Sequence, residues 1–204
     1  VRRGERRYAT GTGGGFLERP DWDKRYREGF YDGAVQPHRL LTEWYATLRP
    51  GGRVVDIAMG NGRDLLFLAE KGFACYGLER SQEALRIAGH TAHDRRLFLS
   101  VVKGDALHLP FKEDSFEGLF VFYFLDRQIM TDLVGLLRPG GILIYETFLK
   151  RQNAFDRQRN PEYLLDDAEL IGLLEGLEIV LYEEGIFRYD GKRRAVARYV
   201  GRKR

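Results

Sequence analysis

The sequence predicts an α/β domain: a doubly wound, seven-stranded sheet, mostly parallel, with helices on both faces and an antiparallel hairpin at its C-terminal end. Three observations carry this. From residue 53 onward, short apolar runs rich in β-branched residues alternate with stretches of helical periodicity. The connections between them are short, as repeated βα units require. Near its end the chain carries Tyr189-Asp190-Gly191-Lys192, an Asp-Gly hairpin turn between two strand-like runs.

Taken in order, residues 1–20 read as a flexible arm, Arg-rich and then Gly-rich, and 21–204 as one domain. The glycines of Thr10–Gly15 follow no strand and precede no Gly-Lys-Ser/Thr, so they are not a phosphate loop. Leu40, Leu41, Trp44, Tyr45 and Leu48 recur at helical spacing, and Arg49-Pro50-Gly51-Gly52 stops that helix. Arg53–Ala58 reads as a strand, Asp64–Lys71 as a helix and Phe73–Glu79 as a second strand. Ser81–Gly89 reads as a helix with Ser81 as its N-cap, and Leu97–Lys103 as a third strand. Phe116–Leu125 is strongly apolar and aromatic, the pattern of a central strand buried on both faces. Gln128–Leu137 is a helix closed by Arg138-Pro139-Gly140-Gly141, an echo of the first turn, and Ile142–Phe148 is the next strand. Asp166–Glu169 offers a capping box for a last helix. Leu177–Tyr182 and Arg194–Val200 form the closing hairpin.

Composition narrows the function classes. The 204 residues are 44% hydrophobic and 13% aromatic, enough to build a full core and to exclude intrinsic disorder. No apolar run reaches membrane-spanning length, and the N-terminus has no apolar stretch that would read as a secretory signal. One cysteine, Cys75, excludes an internal disulfide framework and fits a reducing, cytoplasmic setting; within the second strand it reads as a small core residue. The net charge of +3 divides unevenly: residues 1–10 carry +3, residues 192–204 carry +7, and the body between them carries −7. Basicity therefore belongs to the ends. His90 and His93 lack the carboxylate or cysteine cluster that a metal site needs and read as surface residues; His38 and His108 stand isolated. No metal is expected.

The chemistry concentrates in Val54-Val55-Asp56-Ile57-Ala58-Met59-Gly60-Asn61-Gly62-Arg63, where the first strand gives way to a helix. Gly60 and Gly62 let the backbone turn tightly and approach a ligand, and Glu79, at the end of the second strand, is placed to accept from two ribose hydroxyls. A dinucleotide fingerprint needs a third glycine, but Leu65 stands there. Asp56 suits a ligand bearing an amine or sulfonium better than a pyrophosphate.

These residues resemble the class I S-adenosylmethionine-dependent methyltransferases. Asp56-Ile57-Ala58-Met59-Gly60-Asn61-Gly62 is similar to that family's acidic-x-x-x-Gly-x-Gly motif, Glu79 to its ribose-holding acid and Gly104-Asp105-Ala106 to its adenine-binding pair. Trp22-Asp23-Lys24-Arg25-Tyr26, Gly62-Arg63, Phe124–Arg127, Tyr145–Phe148 and Asn160–Leu165 resemble the tellurite-resistance-like bacterial members. The resemblance implies a Rossmann-like fold and S-adenosylmethionine as cofactor, with S-adenosylhomocysteine as product. It assigns the cofactor to Asp56, Ala58, Gly60, Asn61, Gly62, Arg63, Glu79, Arg80, Asp105, Ala106 and Phe122, with Trp22 and Tyr26 as aromatic walls. Tyr123, Arg127 and Glu146, and beside them Asp126 and Tyr145, are candidate bases or acceptor contacts. The expected function is in-line methyl transfer to a small molecule, by a monomer or homodimer away from membranes. Methylation of RNA or protein through the basic termini, and cofactor binding without turnover, stay open beside it.

Overall fold

In chain order the strands are β1 (Arg53–Ile57), β2 (Ala74–Glu79), β3 (Leu99–Lys103), β4 (Phe116–Phe122), β5 (Leu137–Phe148), β6 (Leu177–Tyr189) and β7 (Lys192–Lys203). They lie in the order β3-β2-β1-β4-β5-β7-β6 in a computed structural model that describes residues 20–33, 35–156, 159–189 and 191–204. The expected arm falls outside these residues except for Pro20. Pairing is parallel from β3 across to β5, and β7 runs antiparallel to both β5 and β6. The expected mixed sheet with its terminal hairpin is therefore the observed one. Asp190 of the hairpin turn lies outside the described residues; Gly191, beside it, takes φ 73°.

Helices cover the two faces: α1 (Trp22–Arg27), α2 (Arg39–Trp44), α3 (Arg63–Glu70), α4 (Gln82–Asp94), α5 (Met130–Leu136) and α6 (Glu169–Leu173). Because side chains alternate along a strand, each central strand feeds two cores. Val55, Ile57, Leu119, Val121, Leu143 and Tyr145 pack with Leu133 of α5 and Leu170 of α6. Val54, Phe120, Phe122, Ile142 and Ile144 pack on the other face with Leu40 and Leu41 of α2 and Leu65 and Leu68 of α3. Asp56 and Glu146, at the same alternation as this second set, face α2 and α3. Tyr145 points the opposite way.

Several boundaries differ from the sequence reading. Helix α4 runs to Asp94 because Ala84, Ala88 and Ala92 continue its buried stripe. Strand β5 takes in Arg138–Gly141, since Leu137 already pairs with Phe116 ahead of a bulge before Gly118. The capping box at 166–169 forms by half: the Glu169 carboxylate accepts from the Asp166 N–H at 2.8 Å. The Asp166 carboxylate instead pairs with Lys150 at 2.7 Å, and the residue ahead of α6 is Ala168 at φ 63°.

The two Leu-Arg-Pro-Gly-Gly turns meet at the start of β4. A Cβ on Gly52 would collide with the Glu117 side chain, and one on Gly141 would stand 3.0 Å from the Phe116 carbonyl. Arg138 of the second turn forms an ion pair with Glu117.

Candidate functional site

The strand order reverses between β1 and β4, and at such a switch point the carboxyl ends of a parallel sheet open a crevice. The predicted glycine loop occupies one wall. After Ile57 the chain passes through Ala58 at φ 61°, Gly60 at φ 58° and Gly62 at φ 75° before α3 begins at Arg63. Ala58 holds a left-handed conformation that costs a residue with a Cβ on the order of 1 kcal/mol. The Gly60 N–H donates to Glu79 Oε2 at 2.9 Å, and the Ser81 N–H donates to Oε1 at 2.7 Å. Glu79 thus ties the loop to the end of β2. Burial raises its carboxyl above the ordinary value, partly offset by the N–H groups of Ser81, Gly60 and Arg80. With three N–H donors on its two oxygens, the carboxylate retains acceptor capacity for a further donor. Asp56, 2% exposed, is pushed well above the carboxylate range by burial and then by the charges of Asp64 and Glu79.

Helix α1 lies across this loop. Asp23 accepts from the Ser81 hydroxyl at 2.6 Å and from the Glu83 N–H at 3.0 Å, and these bonds hold its carboxyl below the usual range. They fasten α1 to the start of α4. The Tyr26 ring packs on Tyr31 with centroids 4.7 Å apart, and a Cβ on Gly60 would stand 2.6 Å from its hydroxyl. Burial, then the Glu79 charge, raises the Tyr26 hydroxyl. Trp22 packs against Tyr31 at 6.4 Å. Behind this segment a cavity of about 190 Å³ opens between Tyr26, Tyr31, Asn61, Arg63, Ile87 and Arg95.

His38 is the largest departure from the sequence reading. Far from isolated, it donates its backbone N–H to Asp64 Oδ1 at 2.7 Å and places Nδ1 2.6 Å from Asp64 Oδ2. Its other ring nitrogen, Nε2, meets the Arg63 guanidinium. The imidazole lies flat on Phe122, centroids 4.0 Å apart and planes at 11°, and 5.2 Å from the Tyr123 ring. Asp64 is 2% exposed, and His38, then Arg63, holds its carboxyl below the ordinary value against burial.

On the far side of β4 from the loop lies a network around Glu146, which is buried. The Tyr123 hydroxyl donates to Glu146 Oε1 at 2.7 Å and the Tyr189 hydroxyl to Oε2 at 2.9 Å. Arg194 donates to the Tyr123 oxygen at 2.7 Å and lies over the Tyr123 ring. Arg198 joins from β7, with its Nε 3.7 Å from Glu146 and further ion pairs to Glu43 and Glu183. Tyr123 itself takes φ 55° just past β4, its N–H bonded to the Glu146 carbonyl and its ring stacked on Phe148. Burial, followed by the Glu146 charge, raises its hydroxyl well above the ordinary tyrosine value.

The remaining candidates have the following surroundings. Arg127 forms a fork with Glu169, at 2.6 and 2.9 Å, and donates to the carbonyls of Glu162 and Leu164. Asp126 caps the short helical turn after β4, accepting from the Gln128 N–H. Tyr145 is fully buried on the α5 face, its hydroxyl donating to the Phe124 carbonyl at 2.7 Å. Asp105 is exposed at a turn beyond β3, where it accepts from Leu107 N–H, while Ala106 is buried and Arg80 exposed beside Glu79. Cys75 is buried, its thiol pushed up to about 12 by burial. Of the basic C-terminal run, Arg194, Arg198 and Lys203 are bonded to the body, Lys203 to Asp114 and to the Leu137 carbonyl. Among the described residues no cluster could hold a metal, and no helix is long and apolar enough to cross a membrane.

Sequence reasoning missed His38, Asp64, Tyr189, Arg194 and Arg198. The alternation of β7 against β5 would have put Arg198 opposite Glu146, which is its observed register partner. No local signal links His38 to Asp64.

The chain is similar to known methyltransferases. Residues 55–145 match the methyltransferase domain family. The chain is 34% identical over 114 residues to the 2-phytyl-1,4-naphtoquinone methyltransferase of Synechococcus elongatus, covering 50% of this chain and 48% of that protein. It is 30% identical over 115 residues to the demethylmenaquinone methyltransferase of Corynebacterium glutamicum, covering 54% and 47%. The matched stretch spans about half the length of these relatives. Among solved structures, TehB from Haemophilus influenzae superposes with a TM-score of 0.73 at 15% identity, over 90% of this chain and 67% of that one. An S-adenosylmethionine-dependent methyltransferase from Methanosarcina mazei gives 0.67 at 20% identity, over 83% and 99%. Residues 55–145 thus resemble a methyltransferase domain, and the seven-stranded sheet is the fold of solved S-adenosylmethionine-dependent methyltransferases.

Proposed function

We propose that this chain binds S-adenosylmethionine at the glycine loop and transfers its methyl group to a small-molecule acceptor. The observation that carries the reading is the loop itself: Ala58, Gly60 and Gly62 in left-handed conformations, with Gly60 bonded to the buried Glu79. A backbone bent this way brings main-chain groups close to a ligand, and Glu79 keeps acceptor capacity for a hydroxyl. The residues present therefore fit the cofactor. Gly60, Asn61 and Gly62 would face its amino-acid part, Glu79 and Arg80 its ribose, and Asp105 and Ala106 its adenine. Asp56, held toward its neutral form by burial and then by like charges, would gain a cationic partner. Trp22 and Tyr26 would close over it from α1.

When bound, the sulfonium supplies an already activated methyl group, so the protein's contribution is alignment and exclusion of water. Phe122 and Tyr123, at the end of β4, would border the methyl group, with His38 and Phe148 extending an aromatic wall toward the acceptor. The relatives named for quinone substrates support a small, planar acceptor. Bonding of Arg194, Arg198 and Lys203 to the body weakens the alternative in which the basic C-terminal run tracks a phosphate backbone.

Calorimetric titration with S-adenosylhomocysteine tests the site. Gly60→Val should abolish binding while circular dichroism shows the sheet intact; wild-type affinity in that variant would refute the assignment. Transfer of labelled methyl from S-adenosylmethionine to a reduced 1,4-naphthoquinone tests the acceptor class.

A further inference from the structure

We infer that His38 is the proton acceptor of the transfer, and that Arg63 covers its basic nitrogen until the guanidinium turns to the carboxylate of the bound cofactor. This rests on the cofactor reading above and adds to it a base, its control and a class of acceptor. Three observations carry it.

The first is the hold on the ring. Asp64 takes both the backbone N–H and Nδ1 of His38, at 2.7 and 2.6 Å. A buried carboxylate beside Nδ1 requires the proton there, which leaves Nε2 with the lone pair. The Arg63 guanidinium, a donor only, meets Nε2 and stands 3.5 Å from Nδ1, which Asp64 already occupies.

The second is position. The imidazole lies on Phe122, the last residue of β4, at the switch point between β1 and β4 where the crevice opens. Nε2 therefore stands beside the place proposed for the methyl group.

The third is Arg63. It follows Gly62 directly and lines the cavity behind α1, and among the described residues no carboxylate forms an ion pair with it. Its charge is the one in the loop that an amino-acid carboxylate would attract, and moving toward it would expose Nε2. The charged and titratable groups facing the ring are Asp64 and Arg63 from α3 and Tyr123 from the end of β4. Through Tyr123 they extend to Glu146 and Arg194, and Arg39 follows on His38's own segment.

The acceptor suited to this arrangement is a hydroxyl, phenolic or enolic. An amine attacks through its own lone pair and sheds its proton later, whereas a hydroxyl gains most from losing its proton as the new bond forms. In the step, the acceptor O–H gives its proton to Nε2 while its oxygen forms a bond to the methyl carbon. The carbon–sulfur bond breaks with its electron pair remaining on sulfur, which becomes a neutral thioether. The imidazolium is held against the Asp64 carboxylate, and its proton then passes to water.

Two measurements test this. The first is calorimetry of S-adenosylhomocysteine binding to the whole chain in buffers of different ionisation enthalpy, which counts protons exchanged on binding. Wild type should take up a fraction of a proton more than His38→Gln, with affinities within about threefold; equal proton counts overturn the inference. Nitrogen-15 spectra of the wild-type imidazole give the same answer without a variant. The Nδ1 proton bonded to Asp64 identifies the ring, and Nε2 should shift on adding S-adenosylhomocysteine; an Nε2-protonated ring, or no shift when calorimetry shows binding, overturns it. Absence of binding heat in wild type overturns the cofactor reading beneath.

The second measurement adds 4-nitrophenol to the protein loaded with S-adenosylhomocysteine, at a pH where the free probe is un-ionised. A nitrophenolate absorption band in wild type that His38→Gln lacks supports the base. The same spectrum in both proteins overturns it.

Discussion

The Tyr123 hydroxyl stands between Glu146 and Arg194, donating to the carboxylate at 2.7 Å and accepting from the guanidinium at 2.7 Å. One phenol thereby joins a buried acid on β5 to a base on β7. Removing it leaves Glu146 short of a donor in a place water does not reach, which costs about 1–3 kcal/mol. Tyr123→Phe should therefore lower stability by that amount in urea unfolding. Affinity for S-adenosylhomocysteine should change less than about threefold. A variant as stable as wild type would show that the network contributes nothing net.

Tyrosine burial also sets the alkaline limit. Burial raises the hydroxyls of Tyr26, Tyr123, Tyr145 and Tyr189 above the ordinary value of 10.0. In the window above pH 10 the native state holds protons that the unfolded chain has lost, so stability falls as pH rises through it. Unfolding free energy measured from pH 8 to pH 11 should be flat at first and then decline beyond about pH 10. A Tyr189→Phe variant should show a shallower decline, and an unchanged slope would remove Tyr189 from this group.

Asp56 offers the reverse of an ordinary salt-bridged acid. Its carboxyl is raised, so the native state binds the extra proton and wild type loses stability as pH climbs from about 4 toward the raised value. Asp56→Asn should gain on the order of 1 kcal/mol at neutral pH, roughly 2–4 °C in melting temperature. It should gain little at pH 3. The same variant should bind S-adenosylhomocysteine at least ~10-fold more weakly, a loss of about 1.4 kcal/mol. A less stable variant at neutral pH would contradict a carboxyl held neutral by burial and like charges.

Arg127 binds its own chain. Its fork to Glu169 and its two carbonyl contacts fix the segment 162–169 against the turn after β4. Arg127→Ala should cost about 1–3 kcal/mol, and Arg127→Lys most of that, because an ammonium cannot reproduce the fork. Cofactor affinity should be unaffected. Affinity falling by tenfold or more would return Arg127 to the site.

How far the sequence could be read depended on whether a signal was local. The strands were legible because alternation and turn residues lie within a few positions of one another, as at Val54–Ile57 and Leu143–Tyr145. The same alternation separates Glu146, on the α2 side of the sheet, from Tyr145 on the other. The glycine loop and Glu79 were legible because the fold brings the ends of adjacent parallel strands together. His38 was not, since its partner Asp64 sits 26 residues onward on another helix, and nothing local states that these two meet. The start of β5 was misjudged for a related reason: Leu137 pairs with Phe116 across the sheet, and no property of Leu137 alone announces a strand.

The two Pro-Gly-Gly turns give the sheet a common baseline. Both press on the first residues of β4, so β1, β4 and β5 leave from one line. Beyond it, the height of each strand end is a matter of counting residues. Ile57 draws level with Val121, and Phe122 with Glu146. One residue inserted between Phe116 and Phe122 would turn Tyr123 to the other face and break the match with Glu146. Residues added after Ala58, Tyr123 or Phe148 would leave the count intact. The sheet thus keeps its ruler at one end and its freedom of length at the other, so the loops there can be re-cut for a different ligand without moving the strands beneath them.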